Sequence, residues 1–225
     1  MPLTIGLLVF PGVQQLDLTG PYELFAAVQG AVVHLVAKDL APVTSASKLV
    51  LTPTISYADC PPLDVLCVPG GAGVNALLED EITLSFLRQQ AAAARFVTSV
   101  CTGALVLGAA GLLQGKRATT HWNAHDFLAA FGAVPVHDRV VRDGALITAG
   151  GVTAGIDFAL SVIAELEGRE TAERIQLALE YAPAPPFSSG TPEEASATIL
   201  DAVRQKQSGV RQQRAEIIAR LTSRQ

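Results

Sequence analysis

Short apolar runs rich in β-branched residues alternate along this chain with stretches of helical pattern, and no other feature constrains the fold as much. Residues 3–10, 32–37, 64–68 and 96–100 read as strands. Helical patterns follow at 21–28, 81–93, 102–113, 121–131, 154–166 and 172–181. The first of these places Pro21 at its opening position with Gly20 before it. Residues 43–44 with 49–52 suit a hairpin at a sheet edge. Residues 140–147 suit another, turning at Asp143-Gly144. Strands and helices in this order predict an α/β fold, a mostly parallel sheet with helices on both faces.

Composition narrows the class. Hydrophobic residues make up 49% of the 225 and charged residues 16%, too apolar for disorder and enough for a substantial core. Sixteen Lys and Arg against 21 Asp and Glu give a net charge of −5, which argues against a nucleic-acid partner. No apolar run reaches the ~18–20 residues of a membrane span. The opening MPLTIGLLVF has no basic stretch before its apolar residues and reads as a strand, not a secretion signal. A soluble cytoplasmic protein is the expectation. Its three cysteines, Cys60, Cys67 and Cys101, fit neither a disulfide framework nor a zinc pattern.

Two domain-level pieces are expected. Residues 1–192 form the α/β domain, ending in the linker APAPPFSSGTP, and residues 193–225 form a helical extension. Thr191, Pro192 and Glu194 have capping-box spacing, and Gly209 should interrupt the helix that follows. Ile199, Val203, Val210, Ile217 and Leu221 give that helix an apolar stripe, to be packed on its own core or on a second subunit. Its six basic and four acidic residues read as a solvated face.

The strongest chemical signal is FVTSVCTGAL, where a buried strand runs into a helix with Cys101 at the junction. That is the geometry of a nucleophile elbow, with cysteine in place of serine. A helix N-terminus favours the thiolate, the reactive form of the side chain. A buried apolar cysteine is the structural alternative. Cys67, mid-strand, and Cys60, in a Pro-rich turn, read as structural.

Two loops lie at other strand ends, where ligands sit in open α/β sheets. Pro69-Gly70-Gly71-Ala72-Gly73 can bring backbone N–H groups close to a substrate, although a plain turn would read the same way. It matches neither the dinucleotide nor the Walker pattern. In QQLDLTGP, Asp17 precedes the predicted helix start, and a carboxyl group beside a thiol can hold or transfer a proton. Local turn bonding would account for it equally.

His121 and His125 have the i, i+4 spacing of a metal pair, but no third ligand is evident, and a pocket-lining or structural role is expected instead. A Cys101–His121 triad depends on an adjacency that spacing does not give. The turn 150–157, with Val152, could line the same mouth, and Asp157 reads as a helix-start residue.

Taken together, VTSVCTGALVLGAAGLLQGKRATTHW, PPLDVLCVPGG, VQQLDLTGPYE, GGVTAGIDFAL and the LEYAPAPPF segment resemble the ThiJ/PfpI superfamily. Within it they are similar to the isocyanide hydratases. The resemblance implies a flavodoxin-like sandwich, a homodimer, and a carbon–oxygen lyase hydrating isocyanides to N-substituted formamides through a cysteine thioimidate. It implies Cys101 as nucleophile, Asp17 as the neighbouring acid, and Thr102 presenting its N–H and hydroxyl to the site. It also implies Gly70 and Gly71 as backbone donors opposite the thiol. His121 and Val152 are expected to contact substrate. The chemistry calls for the isocyanide and water, with no cofactor and no metal. Many superfamily members carry Glu where Asp17 stands. Those read as peptidases have His directly after the cysteine, where this chain has Thr102. Two alternatives stay open: a glyoxalase- or deglycase-type enzyme acting on α-oxoaldehydes, and a non-catalytic cysteine redox sensor.

Overall fold

Leu7 and Leu8 are neighbours in sequence and both fully buried, yet they pack into different cores. That requires a strand covered on both faces, since successive side chains point to opposite sides. The computed structural model describes residues 2–223. Its strands are β1 (Thr4–Leu8), β2 (Val32–Ala37), β3 (Val43–Thr44), β4 (Val50–Leu51), β5 (Ile55–Ser56), β6 (Val65–Val68), β7 (Phe96–Val100), β8 (Arg117–Ala118), β9 (Val134–Pro135), β10 (Val140–Asp143) and β11 (Leu146–Ala149). The α-helices are α1 (Gln15–Ala26), α2 (Val74–Leu77), α3 (Glu81–Ala91), α4 (Gly103–Ala109), α5 (Ala154–Glu167), α6 (Arg169–Ala178) and α7 (Ala197–Thr222), with a 3-10 helix at Trp122–Phe131.

Seven strands form the main sheet in the order β10-β11-β7-β6-β1-β2-β5, parallel except where β10 returns against β11. Ile5, Leu7, Val65 and Cys67 face a core shared with Leu18 and Phe25 of α1 and Phe158 and Val162 of α5. Leu8, Leu66 and Val68 face the other, with Leu84 and Leu87 of α3, Leu105 of α4 and Ile217 of α7. This is the α/β sandwich that the alternation predicts.

Several boundaries differ from the sequence reading. Helix α1 begins at Gln15, not at Pro21, which lies inside it. Proline's fixed φ is compatible with a helix, and its cost is the missing N–H that would meet the carbonyl of Asp17. Helix α4 ends at Ala109 because Gly111 adopts φ +80°. β3 and β4 pair as a separate ribbon, and the sheet edge beside β2 is β5, too short for its pattern to register.

At the C-terminal end, Thr191–Glu194 is a turn, with the Thr191 carbonyl accepting from the N–H groups of Glu194 and Ala195. The helix proper starts at Ala197 and continues through Gly209 without interruption. A single exposed glycine weakens a helix by only about 1 kcal/mol, and tertiary packing outweighs it. That packing is visible in Asn75, whose side-chain amide donates to the Val210 carbonyl and to Gln213 Oε1, both at 3.0 Å. Ile217 and Ile218 are buried beside it.

Candidate active site

From the central strand β1 the chain runs one way to β2 and β5, then crosses to β6, β7 and β11 on the other side. The loops after β1 and β6 therefore diverge to opposite faces and leave a crevice at the carboxyl ends of the strands. Three segments meet there: the start of α1 with Asp17, the Pro69–Gly73 loop after β6, and Cys101 directly after β7.

Cys101 has φ +56°, left-handed backbone that a side-chain-bearing residue adopts at a cost of roughly 1–2 kcal/mol. Hydrogen bonds hold it there. Its N–H donates to the carbonyls of Ala149 and Gly150 at 3.1 and 2.8 Å, and its own carbonyl accepts from the Thr120 hydroxyl at 2.7 Å. The next turn is pressed against β6. A Cβ on Gly103 would lie 2.0 Å from the Val68 carbonyl oxygen, so only glycine lets α4 start there. The strand, the turn and the glycine together make the elbow.

Asp17, in the first turn of α1, is 0% exposed. Its Oδ2 accepts from the Gly70 N–H at 2.9 Å, while Oδ1 has no hydrogen-bond partner among the described residues. Burial raises its pKa from 3.8 to about 7, against the pull of the Gly70 N–H and of the adjacent Cys101 thiol. The thiol is itself held well above the ordinary range, first by burial and then by the Asp17 charge. The Thr102 N–H and hydroxyl pull it the other way. The helix N-terminus pulls the sulfur toward the thiolate, and its burial pulls the other way. The site holds a proton between a buried acid and a buried thiol.

Gly70 and Gly71 act differently from the expectation. The Gly70 N–H is taken by Asp17, and the Gly71 N–H donates to the Thr102 hydroxyl oxygen at 3.1 Å. Both donors orient the reactive groups instead of opening toward a substrate. A Cβ on Gly70 would lie 2.6 Å from the Thr102 nitrogen, 2.7 Å from its hydroxyl and 2.9 Å from Asp17 Oδ2. Glycine is what lets the acid, the threonine and the loop converge.

Above the thiol lies a cavity of about 550 Å³, lined by Cys101, Thr102, Gly71, His121 and Val152. His121 caps the 3-10 helix, its Nδ1 accepting from the Asn123 N–H at 3.2 Å. Burial and the charge of Arg214 lower its pKa to about 4, so the ring is neutral. His125 points elsewhere, stacking on His137 with ring centroids 3.7 Å apart and bonding the Val136 carbonyl at 3.0 Å. In a 3-10 helix, with three residues per turn, positions i and i+4 do not share a face. The metal-pair spacing therefore brings no pair together. Asp157 is in the first turn of α5, paired with Arg139 at 2.5 Å and accepting from the Tyr181 hydroxyl at 3.0 Å.

The other wall is α7, whose apolar stripe calls for a packing partner and whose charged residues the sequence pattern assigns to solvent. Lys206, Gln207, Val210, Arg211 and Arg214 line the cavity. Arg211 makes a two-pronged ion pair with Asp126 at 3.0 and 2.7 Å. Arg214 is 6% exposed, and its Nε donates to Asn75 Oδ1 at 2.8 Å. The available signal was its position, since Arg214 falls within the apolar stripe of Val203, Val210, Ile217 and Leu221. A cation there must be buried when the helix docks.

The sequence pattern of the DJ-1/PfpI family matches residues 4–165. Isonitrile hydratase of Pseudomonas putida is 62% identical over 220 residues, covering 98% of this chain and 96% of that protein. The crystal structure of a ThiJ/PfpI family protein from Pseudomonas syringae superposes with a TM-score of 0.94 at 44% identity, over 97% of this chain and 91% of that one. Drosophila melanogaster DJ-1beta superposes at 0.73 with 25% identity, over 81% of this chain and 100% of that one.

Proposed function

The chain belongs to the DJ-1/PfpI family, and we propose that it hydrates isocyanides, R–N≡C, to N-substituted formamides, R–NH–CHO. The near full-length similarity to an isonitrile hydratase carries this reading. The buried thiol and acid at the floor of one cavity supply a chemistry for it.

Cys101 is the nucleophile and Asp17 moves the proton. As the sulfur bonds to the terminal isocyanide carbon, the thiol proton passes to Asp17 and from there to that same carbon. The product is a thioimidate, R–N=CH–S–Cys101. Water then adds, its oxygen to the carbon and one proton to the nitrogen, with Asp17 relaying the transfer. The carbon–sulfur bond breaks as the remaining hydroxyl proton returns to sulfur, which releases the formamide and restores the thiol. One difficult hydration becomes two easier additions. Thr102, fixed by the Gly71 N–H, directs its hydroxyl at the sulfur and steadies the negative charge that passes through it. An acid with a pKa of about 7 suits this relay, because both its forms are accessible near neutral pH. His121 and Val152 contact the substrate from the cavity wall.

We read the protein as a cytoplasmic homodimer. Three free thiols suit a reducing compartment. Among the described residues, no helix is long and apolar enough to cross a membrane. The exposed Leu177, Phe187 and Ile199 offer apolar surface for a second copy. A sedimenting mass near twice 23.5 kDa is expected, and 23.5 kDa itself would refute the dimer.

The test of the reaction is formamide formation from a simple alkyl isocyanide, with Cys101→Ala alongside. Turnover by the parent and none by the variant is expected. Absence of product from reduced, folded parent would reject the hydratase and direct attention to α-oxoaldehydes. Equal turnover by the variant would remove Cys101 as nucleophile.

A further inference from the structure

Arg214 carries a charge that no ion pair of the described chain balances, although the negative form of Cys101, on the same cavity, attracts it. It is 6% exposed, forms no ion pair among the described residues, and its described hydrogen bond is to a neutral amide, Asn75 Oδ1. Such a cation is costly to bury without a counter-charge. Its other neighbours do not supply one. Arg211 is already satisfied by Asp126. His121 is neutral, and Lys206 is a further cation on the same wall. No Asp or Glu lines the cavity. Asp17, fully buried in the site floor, holds the proton of the chemical step. A chain with net charge −5 thus presents a reaction cavity whose charged lining side chains are all positive.

Arg214 and Cys101 line the same cavity of about 550 Å³. An anion that meets the guanidinium is therefore within one small molecule's length of the carbon that the sulfur attacks. We propose that the natural substrates are isocyanides whose R group carries a carboxylate close to the isocyano group, anchored by Arg214. A guanidinium offers a planar fork of donors that matches a carboxylate. The Asn75 contact leaves the remaining donors for the ligand and fixes the plane of the fork. The inference rests on the hydratase reading and adds its substrate class.

The experiment compares two probes of nearly equal size, isocyanoacetate and its neutral methyl ester. Formamide formation is followed at low ionic strength for the parent, Arg214→Gln and Arg214→Lys. The parent's kcat/KM should favour the anion by about tenfold or more, a preference that falls as salt is added. Arg214→Gln should lower the anion-to-ester ratio by about tenfold or more, chiefly through KM. Arg214→Lys should recover part of it. A parent ratio near one would overturn the proposal without any variant. A ratio unchanged in Arg214→Gln would overturn it too, and would assign Arg214 to the thiol or to the packing of α7. If the parent makes formamide from neither probe nor from a simple alkyl isocyanide, the hydratase reading fails and this inference with it. Product from the simple isocyanide with no anion preference defeats the inference alone.

Discussion

Asp17 and Cys101 share their burial, and that couples their protons. Below pH about 7 the carboxyl and the thiol are both protonated, and Asp17 has no capacity to accept from sulfur. Above it one proton is shared between them, which is the form that attack requires. We therefore expect kcat/KM for a neutral isocyanide to rise with pH through an inflection near 7 and then level. Asp17→Asn keeps the shape and removes the relay. It should lower the rate by about 10²- to 10⁴-fold and abolish the inflection. A pH profile that keeps its inflection in the variant would assign the titration to another group. Two lone residues were legible here, Cys101 from its strand-to-helix junction and Asp17 from its strand-end loop. The level of their proton affinities was not, because desolvation is set by everything packed around them.

At the scale of elements, α7 completes the site that the sheet begins. Asn75 is the hinge of that contact, bonding Val210, Gln213 and Arg214 at 3.0, 3.0 and 2.8 Å. Asn75→Ala should leave the sheet intact and loosen the helix. Losing these bonds while Arg214 stays buried is expected to cost about 1–3 kcal/mol. Amide hydrogen exchange over residues 210–217 should accelerate, while β1, β6 and β7 keep their protection. Equal acceleration throughout would show instead that α7 and the sheet unfold as one unit. Pattern reading found the amphipathic stripe of this helix but not its docking partner. A helix's apolar face states that it must be covered and leaves open by what.

For the whole molecule, the acid that serves the chemistry weakens the fold. Asp17 has pKa 3.8 when solvated and about 7 in the folded chain, so between those values the native state binds the extra proton. Stability from this group is fully present below pH 3.8 and is lost as pH rises through about 7. A shift of this size corresponds to something on the order of 4 kcal/mol. Asp17→Asn should therefore raise the melting temperature at pH 8 and change it little at pH 4. A variant less stable than the parent at pH 8 would mean that the carboxylate's bond to Gly70 outweighs its desolvation.

What the sequence by itself determined is local and periodic. Alternating apolar runs and helical patterns specify a covered parallel sheet. Val100-Cys101-Thr102-Gly103 specifies a sharp strand-to-helix turn, because residues without bulk at Gly103 admit the close approach to Val68 that the turn needs. Tertiary structure alone decided three things. It placed Asp17 inside α1 against the thiol, since Pro21 is tolerated within a helix that packing holds. It directed the Gly70 and Gly71 N–H groups to Asp17 and Thr102. It brought Arg214, more than a hundred residues downstream of Cys101, into the same cavity. Each depends on contacts between segments far apart in the chain, and long-range contact and burial leave no period in a sequence to be read.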